Sequence, residues 1–124
     1  TASIEQNAKG LIEELLEVYP YIDVSYTPQI AVNYPETRQK MRQRSAQTAR
    51  CLANEYSPEN ILLVAHGASV LGAAMGFVGD LAVEKVKATL CSLVKVVRQD
   101  PEWLLELSGD TSHLTEVEEV VRFN

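Results

Sequence analysis

The residues able to do chemistry concentrate in one short segment, Leu62-Leu63-Val64-Ala65-His66-Gly67-Ala68-Ser69. An imidazole follows an apolar run, and a glycine follows the imidazole. If Ile61 to Ala65 is a strand, His66 falls at its carboxyl end, where open α/β sheets place their ligand sites. Gly67 lets the backbone come close to a ligand. A helix beginning just beyond would aim its free N–H groups and its positive dipole end at the same point, which attracts phosphate. A histidine there can donate a proton or, when charged, clamp an anion. The plainer alternative is a hydrogen-bonded histidine that only finishes a strand.

Other reactive patterns are weaker. Gly67 to Gly72 has the spacing of a phosphate loop, but Ala73 and Ala74 stand where Lys and Ser or Thr are needed. Ser69 has Leu71 where a nucleophile elbow needs its second glycine. Two cysteines and two histidines are too few and too scattered for a zinc site. Cys51 and Cys91 are not a Cys-x-x-Cys pair, and they read as two reduced, partly buried thiols of a cytoplasmic protein. His113 reads as a residue that fixes a loop.

Around the His66 segment the periodicity defines the elements. Ser3 can cap a helix from Ile4, with Gln6 as its partner, that ends before Pro20. Tyr19 to Pro35 is a Pro- and Tyr-rich loop. A basic helix carrying Arg38, Lys40, Arg42, Arg44 and Arg50 runs from about Glu36 to Tyr56. Arg38 and Arg42 share one face of it, and a solvated surface is the common reading of such a stripe. Ser57 to Asn60 breaks that helix. The uniformly apolar run Ile61 to Ala65 has the pattern of a central parallel strand covered on both faces. Ala68 to Val78 is a small-residue helix able to approach a sheet closely, and Asp80 can cap a short helix through about Ala88. Ser92 to Arg98 and Trp103 to Leu107 form an antiparallel hairpin across Gln99 to Glu102. A polar loop follows from Gly109 to His113. The tail from Thr115 reads as an edge strand or a frayed end.

The 124 residues suffice for one domain or a piece of one. The net charge of −6 argues against a nucleic-acid partner and against adhesion to an anionic membrane. Ile61 to Gly79 lacks acidic and basic residues, but four glycines and His66 interrupt it and no aromatic belt flanks it, so it is not expected to span a membrane. Nothing near Thr1 has the form of a signal peptide.

Taken with its flanks, Val64-Ala65-His66-Gly67-Ala68-Ser69 resembles the second catalytic histidine motif of the histidine phosphatase (phosphoglycerate mutase-like) superfamily. Arg44-Ser45-Ala46-Gln47-Thr48-Ala49 resembles the helix leading into that motif. The hairpin and Gly109-Asp110-Thr111-Ser112-His113-Leu114 resemble the family's ending. Tyr21-Ile22-Asp23-Val24-Ser25-Tyr26-Thr27-Pro28 is similar to a loop in the branch of the ubiquitin-associated and SH3-domain-containing and ecdysteroid-phosphate phosphatases. The resemblance implies an α/β three-layer sandwich with a mainly parallel sheet and a C-terminal antiparallel hairpin. It implies hydrolysis of a phosphomonoester, protein-borne or small, through a phosphohistidine, with no metal and no organic cofactor. His66 would contact the transferred phosphoryl group, Gly67 would keep the approach open, and Glu13, in Gly10-Leu11-Ile12-Glu13, matches the context of the family's acid.

The sequence departs from the family at its most important point. The nucleophile belongs to an Arg-His-Gly motif, and neither His66 nor His113 stands in one. Residues 1–124 are therefore expected to be a single partial domain, the C-terminal part, inactive alone, with the nucleophile and arginine cradle outside it. The alternative is a catalytically inactive, phosphatase-like interaction domain. The exposed hairpin edge leaves room for a homodimer.

Overall fold

A computed structural model describes the backbone of residues 2–115 and the side chains from Lys9 to Thr115. The described elements are α1 (Ala2–Val18), α2 (Arg38–Glu55), α3 (Gly67–Val78), α4 (Leu81–Lys85), β1 (Leu93–Gln99) and β2 (Glu102–Asp110). α1 already includes Ser3, so Ser3 is not the cap before Ile4 that the sequence suggested; the tail beyond Thr115 lies outside the described residues.

The centre of the fold is the seam between α2 and α3, made from small residues. A Cβ at Gly72 would lie 2.9 Å from Ser45 Cβ and 3.2 Å from Arg42 Cα. One at Gly76 would lie 2.6 Å from the Ala46 carbonyl oxygen. The two backbones therefore touch, and the Gly-x-x-x-Gly spacing that could suggest a membrane helix serves a close helix pair. Both contacts advance by four residues in the same direction, Arg42 to Ala46 beside Gly72 to Gly76, so the helices run side by side with their N-termini at the same end. Ser45, Ala49 and Ala74 are buried along this seam, and Ala82 beneath α4. Each such methyl contributes on the order of 0.8 kcal/mol on burial. Among the described residues no helix is long and apolar enough to cross a membrane.

The hairpin forms as its alternation predicts. β1 and β2 pair antiparallel from Leu93↔Asp110 to Gln99↔Glu102, with shifts in register at Leu93/Val94 and Lys95/Val96. Trp103, Leu105 and Leu107 turn to one side of β2 and are half-buried. Trp103 meets Phe77 of α3 with ring centroids 4.5 Å apart. Arg98 stacks over the Trp103 ring, 4.6 Å from its centroid, a cation–π geometry. The same guanidinium donates to Asn54 Oδ1 at 3.2 Å and to Ser57 Oγ at 3.4 Å, which ties the hairpin to the end of α2.

The main departure from expectation is Ile61 to Ala65. It forms no strand, and the hairpin is the sheet that the described residues contain, so the mainly parallel sheet is not built here. The reason is physical: a strand exists through its neighbours, and no described segment runs beside this one to take its N–H and C=O groups. Its side chains are correspondingly bare, Leu62 at 76% and Val64 at 91% exposure. α1 is also uncovered. Leu11, Leu15 and Val18 are exposed on one face, and among the described residues no other element packs extensively against that helix. Smaller differences concern α4, which stops at Lys85 rather than near Ala88, and Asp80, whose side chain makes no capping bond. Cys51 and Cys91 are both free thiols, with Cys51 half-buried and Cys91 exposed.

Candidate active site

His66 is the N-cap of α3. Its backbone is extended, φ −72° and ψ 156°, and its carbonyl oxygen accepts from the Ser69 amide at 2.9 Å and the Val70 amide at 3.0 Å. Those two bonds close the first turn. They leave the amides of Gly67 and Ala68 without a backbone partner, as the geometry of a helix start requires. The His66 side chain is exposed and makes no capping hydrogen bond. It is thus not consumed in finishing the helix, and the imidazole is available to solvent and to a ligand.

The α2–α3 seam adds cations to this point. Because the two helices start at the same end, the first turns of α2 stand beside the first turn of α3. A small cleft of about 80 Å³ lies there, lined by Arg38 and Arg42 from α2, Gly67, Ala68 and Leu71 from α3, and Val86. Two helix N-termini, two arginines and two free amides all favour negative charge at one place. Arg38 and Arg42 were legible only as a basic stripe. What would have singled them out is the four-residue step shared by Arg38-x-x-x-Arg42 and by the Gly72-x-x-x-Gly76 helix that packs on it.

The start of α2 is held by a second device. Thr37 is its N-cap, and Thr37 Oγ1 accepts from the Lys40 amide at 3.1 Å. Arg44 donates to both carboxylate oxygens of Glu36, Nε to Oε2 at 2.7 Å and Nη2 to Oε1 at 2.9 Å. This two-point pair fixes the loop entering α2. It holds the Glu36 carboxyl below its ordinary range, chiefly through the Arg44 hydrogen bond, with partial desolvation opposing.

The other sequence-derived residues fall elsewhere. Glu13 is exposed on α1 and does not line the cleft beside His66. His113 sits in the loop after β2, and its Nε2 lies 2.8 Å from the Cys91 carbonyl oxygen. A carbonyl only accepts, so Nε2 carries the proton and His113 ties that loop to the turn before β1. Cys91 adopts φ 54°, a left-handed conformation unusual for a residue with a side chain. Among the described residues no cluster of His, Cys, Asp or Glu could hold a metal ion.

An exposed imidazole at the start of α3, next to a cleft lined by Arg38, Arg42, Gly67 and Ala68, groups there the chemistry that favours an anion. The family model described as "Histidine phosphatase superfamily (branch 1)" matches residues 8–111. The chain belongs to the histidine phosphatase superfamily. No curated protein and no solved structure matches it.

Proposed function

We propose that this chain supplies the His66 side of a phosphomonoesterase site, acting through a phosphohistidine whose nucleophile lies outside these 124 residues. The observation that carries the reading is the start of α3, where an unbonded imidazole at His66 is followed directly by Gly67 and Ala68, which line a cleft shared with Arg38 and Arg42. His66 would contact the phosphoryl group and stabilise charge on it as it transfers, and the Gly67 amide would hold one oxygen. Arg38 and Arg42 would draw the anion in. Glu13 would take the acid's part only by leaving its present position. Phosphatase rather than mutase chemistry, and kinship with the ubiquitin-associated and SH3-domain-containing and ecdysteroid-phosphate phosphatases, rest on the Tyr21 to Pro28 loop. Two free thiols suit a cytoplasmic hydrolase.

A second reading is supported by the histidine count. The chain has two histidines, and one of them is engaged with the Cys91 carbonyl. An inactive, phosphatase-like interaction domain would look the same at every described residue. Intact mass and p-nitrophenyl phosphate turnover of the protein as its source produces it separate the two. A mass above 13.7 kDa with turnover that collapses in His66→Ala establishes the enzyme. A mass of 13.7 kDa with no turnover leaves the interaction domain.

A further inference from the structure

The cleft beside His66 divides by chemistry. Arg38 and Arg42 bring its charge, and Met41, Leu71, Val86 and Ala88 bring only apolar side chains. Among the described residues no carboxylate, carboxamide or hydroxyl side chain lines it. The four apolar residues are half-buried, so each keeps part of its surface accessible.

These apolar groups are held in place. Ser45 is buried on the seam, and its Oγ donates to Met41 Sδ at 3.6 Å. A methionine side chain has three rotatable bonds and adapts freely when nothing restrains it. The Ser45 hydroxyl gives this one a fixed place. Leu71 precedes Gly72, whose close fit against Ser45 and the Arg42 backbone sets the distance between α2 and α3. On the remaining side, the Val86 amide donates to the Ala82 carbonyl at 2.9 Å and the Lys87 amide to the Ser108 carbonyl at 3.3 Å.

A phosphomonoester brings an anion and an alcohol residue. The arginines suit the anion. A polyol residue, as in a sugar or glycerol phosphate, would give up water against Met41, Leu71, Val86 and Ala88 and find no side-chain partner for its hydroxyls, which costs free energy. An alkyl or aryl residue would only remove apolar surface from water, which is favourable. We infer, on the reading of this cleft as the entry for a phosphoryl anion, that the site selects phosphomonoesters of apolar alcohols or phenols over those of polyols. Met41 sets the preference, because it stands between Arg38 and Arg42 in the chain and its thioether is pinned from behind by Ser45.

Phosphonates test this without chemistry, since phosphoryl transfer does not cleave a C–P bond. n-Butylphosphonate and 3,4-dihydroxybutylphosphonate are titrated into the protein as its source produces it, with inorganic phosphate as reference and the Gly67 and Ala68 amide resonances as readout. The butyl ligand is expected to bind on the order of 10-fold more tightly than the diol. Met41→Gln should remove most of that gap, and Met41→Leu should restore it. Equal affinities in the wild type, or a preference for the diol, overturn the inference. A gap that survives Met41→Gln overturns the part given to Met41. If inorganic phosphate moves neither resonance, the anion reading falls and the inference falls with it. If phosphate binds and the two phosphonates bind equally, the inference alone falls. The ratio does not depend on turnover, so the phosphatase reading can fail on p-nitrophenyl phosphate while the preference stands.

Discussion

The two histidines of this chain are both exposed, and their surroundings treat them in opposite ways. His113 donates to the Cys91 carbonyl, and neighbouring groups are tied down with it: Ser92 Oγ donates to the Thr89 carbonyl at 2.9 Å and accepts from the Thr89 amide at 3.0 Å, and Ser112 Oγ donates to Asp110 at 2.8 Å. His66 has none of this. Its side chain is unbonded, the two amides after it are free, and the apolar run before it lies bare. A loop whose only task is closure satisfies its polar groups internally. A junction that leaves donors, an imidazole and cations unspent holds its interactions in reserve for something that arrives from outside. The proposed division, a structural role for His113 and a chemical one for His66, rests on that difference.

The strongest test of that contrast is His66→Ala in the protein as its source produces it. Turnover of p-nitrophenyl phosphate is expected to fall by ~100-fold or more, equivalent to about 2.7 kcal/mol of transition-state stabilisation. Thermal stability should stay within about 0.5 kcal/mol, because the side chain is exposed and caps nothing. A stability loss comparable to the activity loss would mean that His66 is as structural as His113, and the contrast would be gone.

The next test works from the closed side. Gly109 adopts φ 106° next to the shift in register of the hairpin, and any Cβ there would press on the Lys87 carbonyl oxygen and side chain. Gly109→Ala combines backbone strain with that clash and should cost about 2 kcal/mol in denaturant unfolding. His113→Ala removes one hydrogen bond to an accessible carbonyl and should cost about 1 kcal/mol or less. Neither change should alter turnover per folded molecule. If His113→Ala instead abolished turnover with stability intact, the roles of the two histidines would have to be exchanged.

What the sequence made legible follows the same division. Local features were readable because they depend on nearby residues. The hairpin follows from alternation in Leu93 to Asp110, and α3 follows from the small-residue run after His66. The placement of His66 at the start of that helix follows from the break in hydropathy at Gly67. Features that depend on distant partners were not. Ile61 to Ala65 has the composition of a buried strand, yet composition alone supplies no neighbour to pair with. The part played by Arg38 and Arg42 depends on Gly72 and Gly76 admitting α2, which is a property of the seam and of neither helix alone. The exposure of α1 was equally invisible, since an amphipathic pattern reports a face that seeks cover without saying where the cover comes from.

The smallest expected effect concerns how the arginines are presented to His66. The Glu36–Arg44 pair anchors the entry to α2, and the Glu36 carboxyl is held below its ordinary value of 4.5, chiefly by the Arg44 hydrogen bond. A carboxyl depressed in the folded state binds fewer protons than in the unfolded chain. The stability it contributes is therefore complete above its unfolded value and is lost as the pH falls through the lower, folded one. Unfolding followed from pH 7 down through 4.5 should show a decline in the wild type that is shallower in Glu36→Gln, with the two converging at the acid end. The pair is close to the surface, so added salt should reduce the difference. If Glu36→Gln also weakened inorganic phosphate binding, read from the Gly67 and Ala68 amide resonances, the pair would be presenting Arg38 and Arg42 to the cleft and not merely closing a loop. Unchanged resonances would place Glu36 and Arg44 on the closed side of the comparison, with His113.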